Sequence, residues 1–203
     1  MMIGAIGCAA RSFCALLPLV LLFLLSAAPC NGKAHAQASG VPPPFKLPPK
    51  AELNKLRNAV LVTNRGPIYL ELYPDSAPWH VANFKYLADK GFYRGLSFHL
   101  LYDQYIIQGG DPSGTGGGGP GYSLPPEFSS RRHMAGTLGM ARIGGAGNPE
   151  RRSNGSQFHI LLREAPKMDG DYTVFGQVVK GMKTVRKLKK GDTIRDLIVY
   201  VTP

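Results

Sequence analysis

From Asn58 onward, short apolar and β-branched segments alternate with turns rich in glycine and proline, and this alternation limits the possible folds most strongly. Residues 59–63 and 68–72 flank the turn N-R-G-P, a pattern typical of a β-hairpin. Six further strand-like segments follow at residues 96–101, 105–108, 138–142, 157–162, 174–179 and 194–201. Many short strands with few helices predict a mainly β fold, either a sandwich or a barrel.

Two short helical patterns interrupt the strands. Asp75 or Ser76 is suited to cap the first helix, and Pro78 is tolerated in a first helical turn. Apolar residues then recur at helical spacing up to Gly91, namely Val81, Phe84, Leu87 and Ala88. A second, shorter helix is predicted to start near Met182.

The N-terminal segment does not resemble part of a globular fold. Arg11 precedes an uncharged stretch over residues 12–32 whose centre is almost continuously apolar, and the sequence A-H-A ends at Ala36. A positive residue, a short apolar run and an A-x-A site predict a signal peptide over residues 1–36, cleaved after Ala36. The mature protein is then expected to be periplasmic or secreted, with membrane association only if the leader is retained as an anchor.

The remaining chain divides into an arm and one domain. Residues 37–57 contain five prolines and little periodicity, which predicts a proline-rich linker or an extended arm. Residues 58–203 are long enough for a single domain with a sizeable core. We expect this domain to be a monomer.

Cysteine and charge exclude several classes of site. Cys8, Cys14 and Cys30 all lie in the predicted leader, so the mature chain has no disulfide, cysteine nucleophile or cysteine zinc site. The histidines lack metal-ligand spacing, and we expect neither a metal nor a cofactor.

The formal net charge is +11, but the basic residues are scattered and no nucleic-acid-binding motif is present. A solvated basic surface is therefore favoured over a nucleic-acid partner.

Three blocks of sequence carry a family resemblance. The first block combines S-F-H-L-L at residues 97–101 with Y-I-I-Q-G-G-D-P at 105–112. The second combines G-M-A-R at 139–142 with S-N-G-S-Q-F-H-I at 153–160. The third is M-D-G-D-Y-T-V-F-G at 168–176. In this order they resemble the cyclophilin-type peptidyl-prolyl isomerases, with blocks F-H-R, I-Q-G-G-D, G-x-x-x-M-A, N-G-S-Q-F and L-D-G-x-x-x-V-F-G. The resemblance implies a closed eight-stranded β-barrel capped by two helices, with a peptide groove on its outer face.

The resemblance also implies which residues bind a proline-containing segment of an unfolded or exported protein. The expected substrate-binding residues are His99, Leu100, Tyr105, Ile106, Ala141, Phe158, Met168 and Tyr172. Phe158, Ile106 and Met168 have the apolar character that a slot for a proline ring requires. Gln108 is expected to be catalytic, because its amide both donates and accepts hydrogen bonds to a peptide backbone.

One position departs from the family pattern. Leu100 stands where the motif F-H-R has arginine, and leucine offers no hydrogen-bond donor to the twisted X-Pro bond. We hypothesise that Arg142 supplies a replacement cation; the alternative is an ordinary solvated arginine.

Two functions follow: a prolyl isomerase that assists folding of exported proteins, or a weakly active or inactive proline-peptide binding module of the same fold. The loop over residues 143–152 is longer than in the family and adds basic residues near the groove.

Overall fold

The computed structural model describes residues 41–202. The predicted leader over residues 1–36 and the first residues of the predicted arm lie outside this part. Among the described residues, no helix combines the length and the apolar character that a membrane crossing requires.

Ten strands account for most of the regular structure within residues 41–202. In chain order they are β1 (Asn58–Thr63), β2 (Gly66–Leu72), β3 (Phe98–Tyr102), β4 (Ile106–Gly109), β5 (Ser123–Leu124), β6 (Thr137–Met140), β7 (Ser153–Asn154), β8 (Phe158–Leu161), β9 (Val174–Lys180) and β10 (Ile194–Tyr200). Eight of them form one antiparallel sheet in the order β10-β1-β2-β9-β6-β8-β4-β3, and β5 pairs separately with β7. The predictions of a mainly β fold and of eight strands in its main sheet are confirmed.

The two edge strands of the sheet meet at one end. Ser97, just before β3, forms a bridge with Thr193, just before β10. The backbone N–H of Phe98 also donates to the carbonyl of Asp192 at 2.8 Å. The sheet is therefore curled into a half-barrel joined at this end, and closure along the full length of the strands stays a prediction.

Aromatic packing fills the inside of the curled sheet. Phe84 lies on helix α2 (Pro78–Asp89) and is fully buried. Its ring meets Tyr93, Phe158 and Phe175 edge to face, at centroid distances of 5.4, 5.7 and 5.2 Å. Such pairs contribute about 0.5–1.5 kcal/mol each beyond their burial. The helix is thereby held against the strands that also form the functional site.

The start of α2 is capped by a residue from a distant loop. Neither Asp75 nor Ser76 caps the helix, so that prediction is wrong. The carboxylate of Glu127 accepts hydrogen bonds from the backbone N–H groups of Trp79 and His80, at 3.0 and 3.1 Å. A carboxylate at this end also opposes the positive end of the helix dipole. A tertiary contact thus takes the role that local sequence assigns to a neighbouring residue.

The described part of the proline-rich segment is an arm packed on the domain. It contains the one-turn helix α1 (Lys50–Leu53), and the side chains of Leu53 and Leu56 are buried in the main core. Phe45 stacks on Tyr86 of α2 with ring centroids 5.1 Å apart. In its described part, the segment therefore packs against the domain. The predicted second helix is α3 (Met182–Val185), a single turn.

Replacement of Leu53 by alanine is expected to lower the free energy of unfolding by about 2–3 kcal/mol, because it removes buried apolar volume between the arm and the domain. The matched control is Glu52→Ala, which changes an exposed neighbour on the same turn and is expected to change stability by less than about 0.5 kcal/mol. Urea unfolding followed by circular dichroism measures both. Equal stability of the two variants would show that the arm does not contribute to folding.

Candidate active site

A cavity of about 330 Å³ opens on the face of the sheet opposite the core. Strands β3, β4 and β8 contribute lining residues, and the loops after β6 and β8 form one side. The predicted residues that line it are Leu100, Tyr105, Ile106, Gln108, Ala141, Arg142, Met168 and Tyr172. The structure thus brings together residues from separate blocks of sequence. His99 lies beside this cavity and lines an adjoining one.

The apolar part of this cavity forms a small cluster separate from the main core. Ile106 and Met168 are buried, and Leu100, Tyr105 and Tyr172 pack against them. The size and apolar character of this cluster suit the ring of a proline residue. The sequence-based expectation for Ile106 and Met168 therefore has a structural basis.

Phe158 does not line the cavity, and its predicted place there is wrong. Its side chain is fully buried in the main core and packs against Phe84, Tyr93 and Phe98. Successive side chains of a strand point to opposite faces, so the next residue, His159, faces the cavity instead. The alternation along Q-F-H-I indicates that only one of these two neighbours can face the cavity, but it does not indicate which one.

The imidazole of His159 is a neutral polar group at the base of the cavity. The side chain is 1% exposed, and burial, together with the neighbouring His133, lowers its pKa to about 3. Its ring lies directly over Gly139 on the adjacent strand, where a side chain would collide with it. Within residues 41–202, its Nε2 atom has no hydrogen-bond partner. The cavity floor therefore carries an imidazole without a positive charge.

A second amide orients Gln108. The Nε2 of Gln108 donates to Oε1 of Gln157 at 2.7 Å. Gln157, which was not among the predicted site residues, donates in turn to the carbonyls of Gly116 and Gly118 at 2.9 and 2.7 Å. This chain of hydrogen bonds assigns the amide of Gln108 one orientation, in which its carbonyl oxygen is left to accept a hydrogen bond from a ligand.

Comparisons with known proteins agree on one family. The family described as "Cyclophilin type peptidyl-prolyl cis-trans isomerase/CLD" matches residues 59–201. A peptidyl-prolyl cis-trans isomerase of Synechococcus elongatus is 44% identical over 141 residues, which cover 68% of this chain and 93% of that protein. Peptidyl-prolyl cis-trans isomerase B of Bacillus subtilis is 40% identical over 141 residues, covering 68% and 94%.

Solved structures lead to the same result. A cyclophilin-type peptidyl-prolyl cis-trans isomerase from Cryptosporidium parvum is similar with a TM-score of 0.66 and 31% identity, covering 72% of this chain and 99% of that one. This chain belongs to the cyclophilin-type peptidyl-prolyl isomerase family. It is accordingly a peptidyl-prolyl cis-trans isomerase, and the cavity on the sheet is its candidate active site.

In this cyclophilin-type isomerase, Arg142 is a partnered residue and not a solvated one. Its side chain is 8% exposed and forms a salt bridge with the carboxylate of Asp171. The guanidinium also donates from Nε to the Asp171 carbonyl at 2.9 Å, and it lies 4.6 Å over the ring of Tyr172. These contacts hold the cation at the rim of the cavity while the carboxylate compensates part of its charge.

The neutral state of His159 predicts an acid-sensitive stability. Unfolded histidine binds a proton near pH 6.5, whereas folded His159 does so only near pH 3, so the unfolded state holds more protons between these values. The free energy of unfolding is therefore expected to fall as the pH drops from about 6.5 toward about 4. His159→Phe should show a smaller fall, measured by urea unfolding at each pH.

Tyr172→Phe is the matched control for this measurement. It removes a hydroxyl group beside His159 and leaves every group that titrates in this pH range in place. The pH dependence of its stability should match that of the original protein. A His159→Phe protein with an undiminished pH dependence would contradict the assignment of a neutral imidazole.

Proposed function

We propose that this isomerase acts on X-Pro bonds of exported proteins and assists their folding in the periplasm or outside the cell. The observation that carries the proposal is the apolar slot of Ile106 and Met168 beside the oriented amide of Gln108. A related Cryptosporidium parvum isomerase has been solved in the presence of the dipeptide Ala-Pro, which supports proline-containing peptides as ligands. Export is supported by the uncharged leader pattern and by the absence of cysteine after it.

Catalysis of this reaction needs no nucleophile. Rotation about the X-Pro bond is slow because amide resonance resists it, and the uncatalysed exchange takes tens to hundreds of seconds. In the twisted state the resonance is lost, and the imide becomes a better hydrogen-bond acceptor. A donor that binds this twisted state more tightly than the planar state lowers the barrier.

We assign three roles within the cavity. The cluster around Ile106 and Met168 holds the proline ring, while the Gln108 amide holds the adjoining peptide backbone. Arg142 supplies the cation that favours the twisted imide. Its guanidinium has five N–H groups, and its contacts with Asp171 and Ile143 engage three of them. The guanidinium therefore retains donors while its position is fixed.

Leu100 favours a second candidate function, a proline-peptide binding module with weak or no turnover. It lines the cavity next to Gln108 and presents only an apolar side chain there. A site that binds the planar and twisted states equally well accelerates nothing, however tight the binding. The two candidates differ in turnover and not in ligand, so a single substitution separates them.

Leu100→Arg is expected to raise kcat/KM for a short X-Pro peptide by at least about tenfold, because it adds a donor beside Gln108. Leu100→Met is the control, since it keeps the apolar character and size without adding a donor, and its rate is expected to stay near that of the original protein. An isomerisation assay with purified protein measures all three. If the original protein binds peptide without turnover and arginine restores the rate, the binding module is the correct function.

Arg142→Ala is expected to lower kcat by about tenfold with little change in KM, because the cation acts on the twisted state and less on the bound peptide. Arg151→Ala is its control: Arg151 also approaches Asp171, at 3.4 Å, but lies outside the cavity lining. The control should retain its kcat. An Arg142→Ala protein with the original rate would exclude Arg142 as the replacement cation.

A further inference from the structure

The cavity of about 330 Å³ described above, which we propose binds proline, is called the proline-binding cavity. A second cavity, of about 420 Å³, adjoins it. The two share Leu100, Tyr102, Gln108 and Gly116 as common walls. An extended peptide advances about 3.3 Å per residue, so a chain anchored by its proline reaches this second cavity within one or two residues. The second cavity is therefore placed to receive a side chain next to the proline.

The second cavity carries a positive charge that the described protein does not compensate. Lys190, in the turn before β10, contributes to its lining and is exposed. Among residues 41–202, no carboxylate lies within salt-bridge distance of Lys190. Arg142 differs in this respect, since Asp171 pairs with it at the rim of the first cavity. Of these two cations, Lys190 is the one that can bind an incoming anion.

The other polar groups nearby do not cancel this charge. His99 is buried, and burial is the main cause that lowers its pKa, which favours its neutral form. Asp111, whose charge acts on His99, is 1% exposed and does not line the second cavity. Its carboxylate already accepts hydrogen bonds from the backbone and hydroxyl of Ser113 and from the backbone N–H of Gly116. The second cavity thus presents one solvated ammonium group and neutral walls.

We propose that this second cavity is a subsite for an acidic side chain, aspartate or glutamate, one or two residues from the proline, with Lys190 as its counter-charge. The subsite rests on the proposed function, because a peptide must first be anchored in the neighbouring cavity. The pair is solvent-exposed, so the expected preference is modest, about two- to fivefold in kcat/KM or Kd. The preference also falls as salt is added.

The test uses peptides that are identical except for glutamate, glutamine or lysine at each of the two positions on either side of the proline. The protein is expected to prefer glutamate over glutamine, and glutamine over lysine, at one or more of these positions. Lys190→Glu should reverse this order. Lys189→Glu is the control, because it makes the same change in net charge on an exposed neighbour outside the cavity. It should retain the original order.

The outcomes separate the subsite from the proposed function. Normal turnover or binding of the glutamine peptide without any preference for glutamate would overturn the subsite and leave the proposed function intact. Equal loss of preference in the Lys189→Glu and Lys190→Glu proteins would show a general field effect and would also overturn it. Failure of every peptide to bind would overturn the proposed function together with the subsite.

Discussion

Two consecutive residues of β8 link the core of this protein to its active site. Phe158 packs inward against Phe84, and His159 faces outward into the proline-binding cavity. Because side chains alternate along a strand, a shift of one residue in register would exchange them. The same register places Gln108 on one side of His159 and Gly139 on the other. Packing of Phe158 in the core therefore positions the groups that line the cavity.

The active site is held in place mainly by polar groups that do not line its apolar slot. Asp171 holds Arg142, and Gln157 holds Gln108 through bonds that continue to the glycine-rich loop. Groups held in this way lose little freedom when a ligand binds, which favours both affinity and stabilisation of the twisted state. In the proposed mechanism, the apolar Leu100 makes the remaining donors more important. The proposed subsite at Lys190 would then add selectivity without taking part in the chemistry.

Much of the fold was predictable because its signals are local. The hairpin, the later strands and both predicted helices follow from periodicity and turn residues, and the structure contains them within a few residues of the expected bounds. The capping of α2 was not predictable in this way. Glu127 is far from the helix in sequence, and only the fold brings its carboxylate to Trp79 and His80. Packing of the arm through Leu53 likewise depends on a surface formed by distant segments.

The sequence by itself determined the family, the strand-rich architecture and the residue types of the proline-binding cavity, because these depend on ordered motifs and local patterns. Only the tertiary structure decided which neighbour in Q-F-H-I faces that cavity, since a shift of one residue in the register of the strand would exchange Phe158 and His159. It also decided the partner of Arg142 and the position of Lys190 beside Leu100. These contacts join residues far apart in the chain, and charge compensation depends on distance in space, which local sequence does not specify.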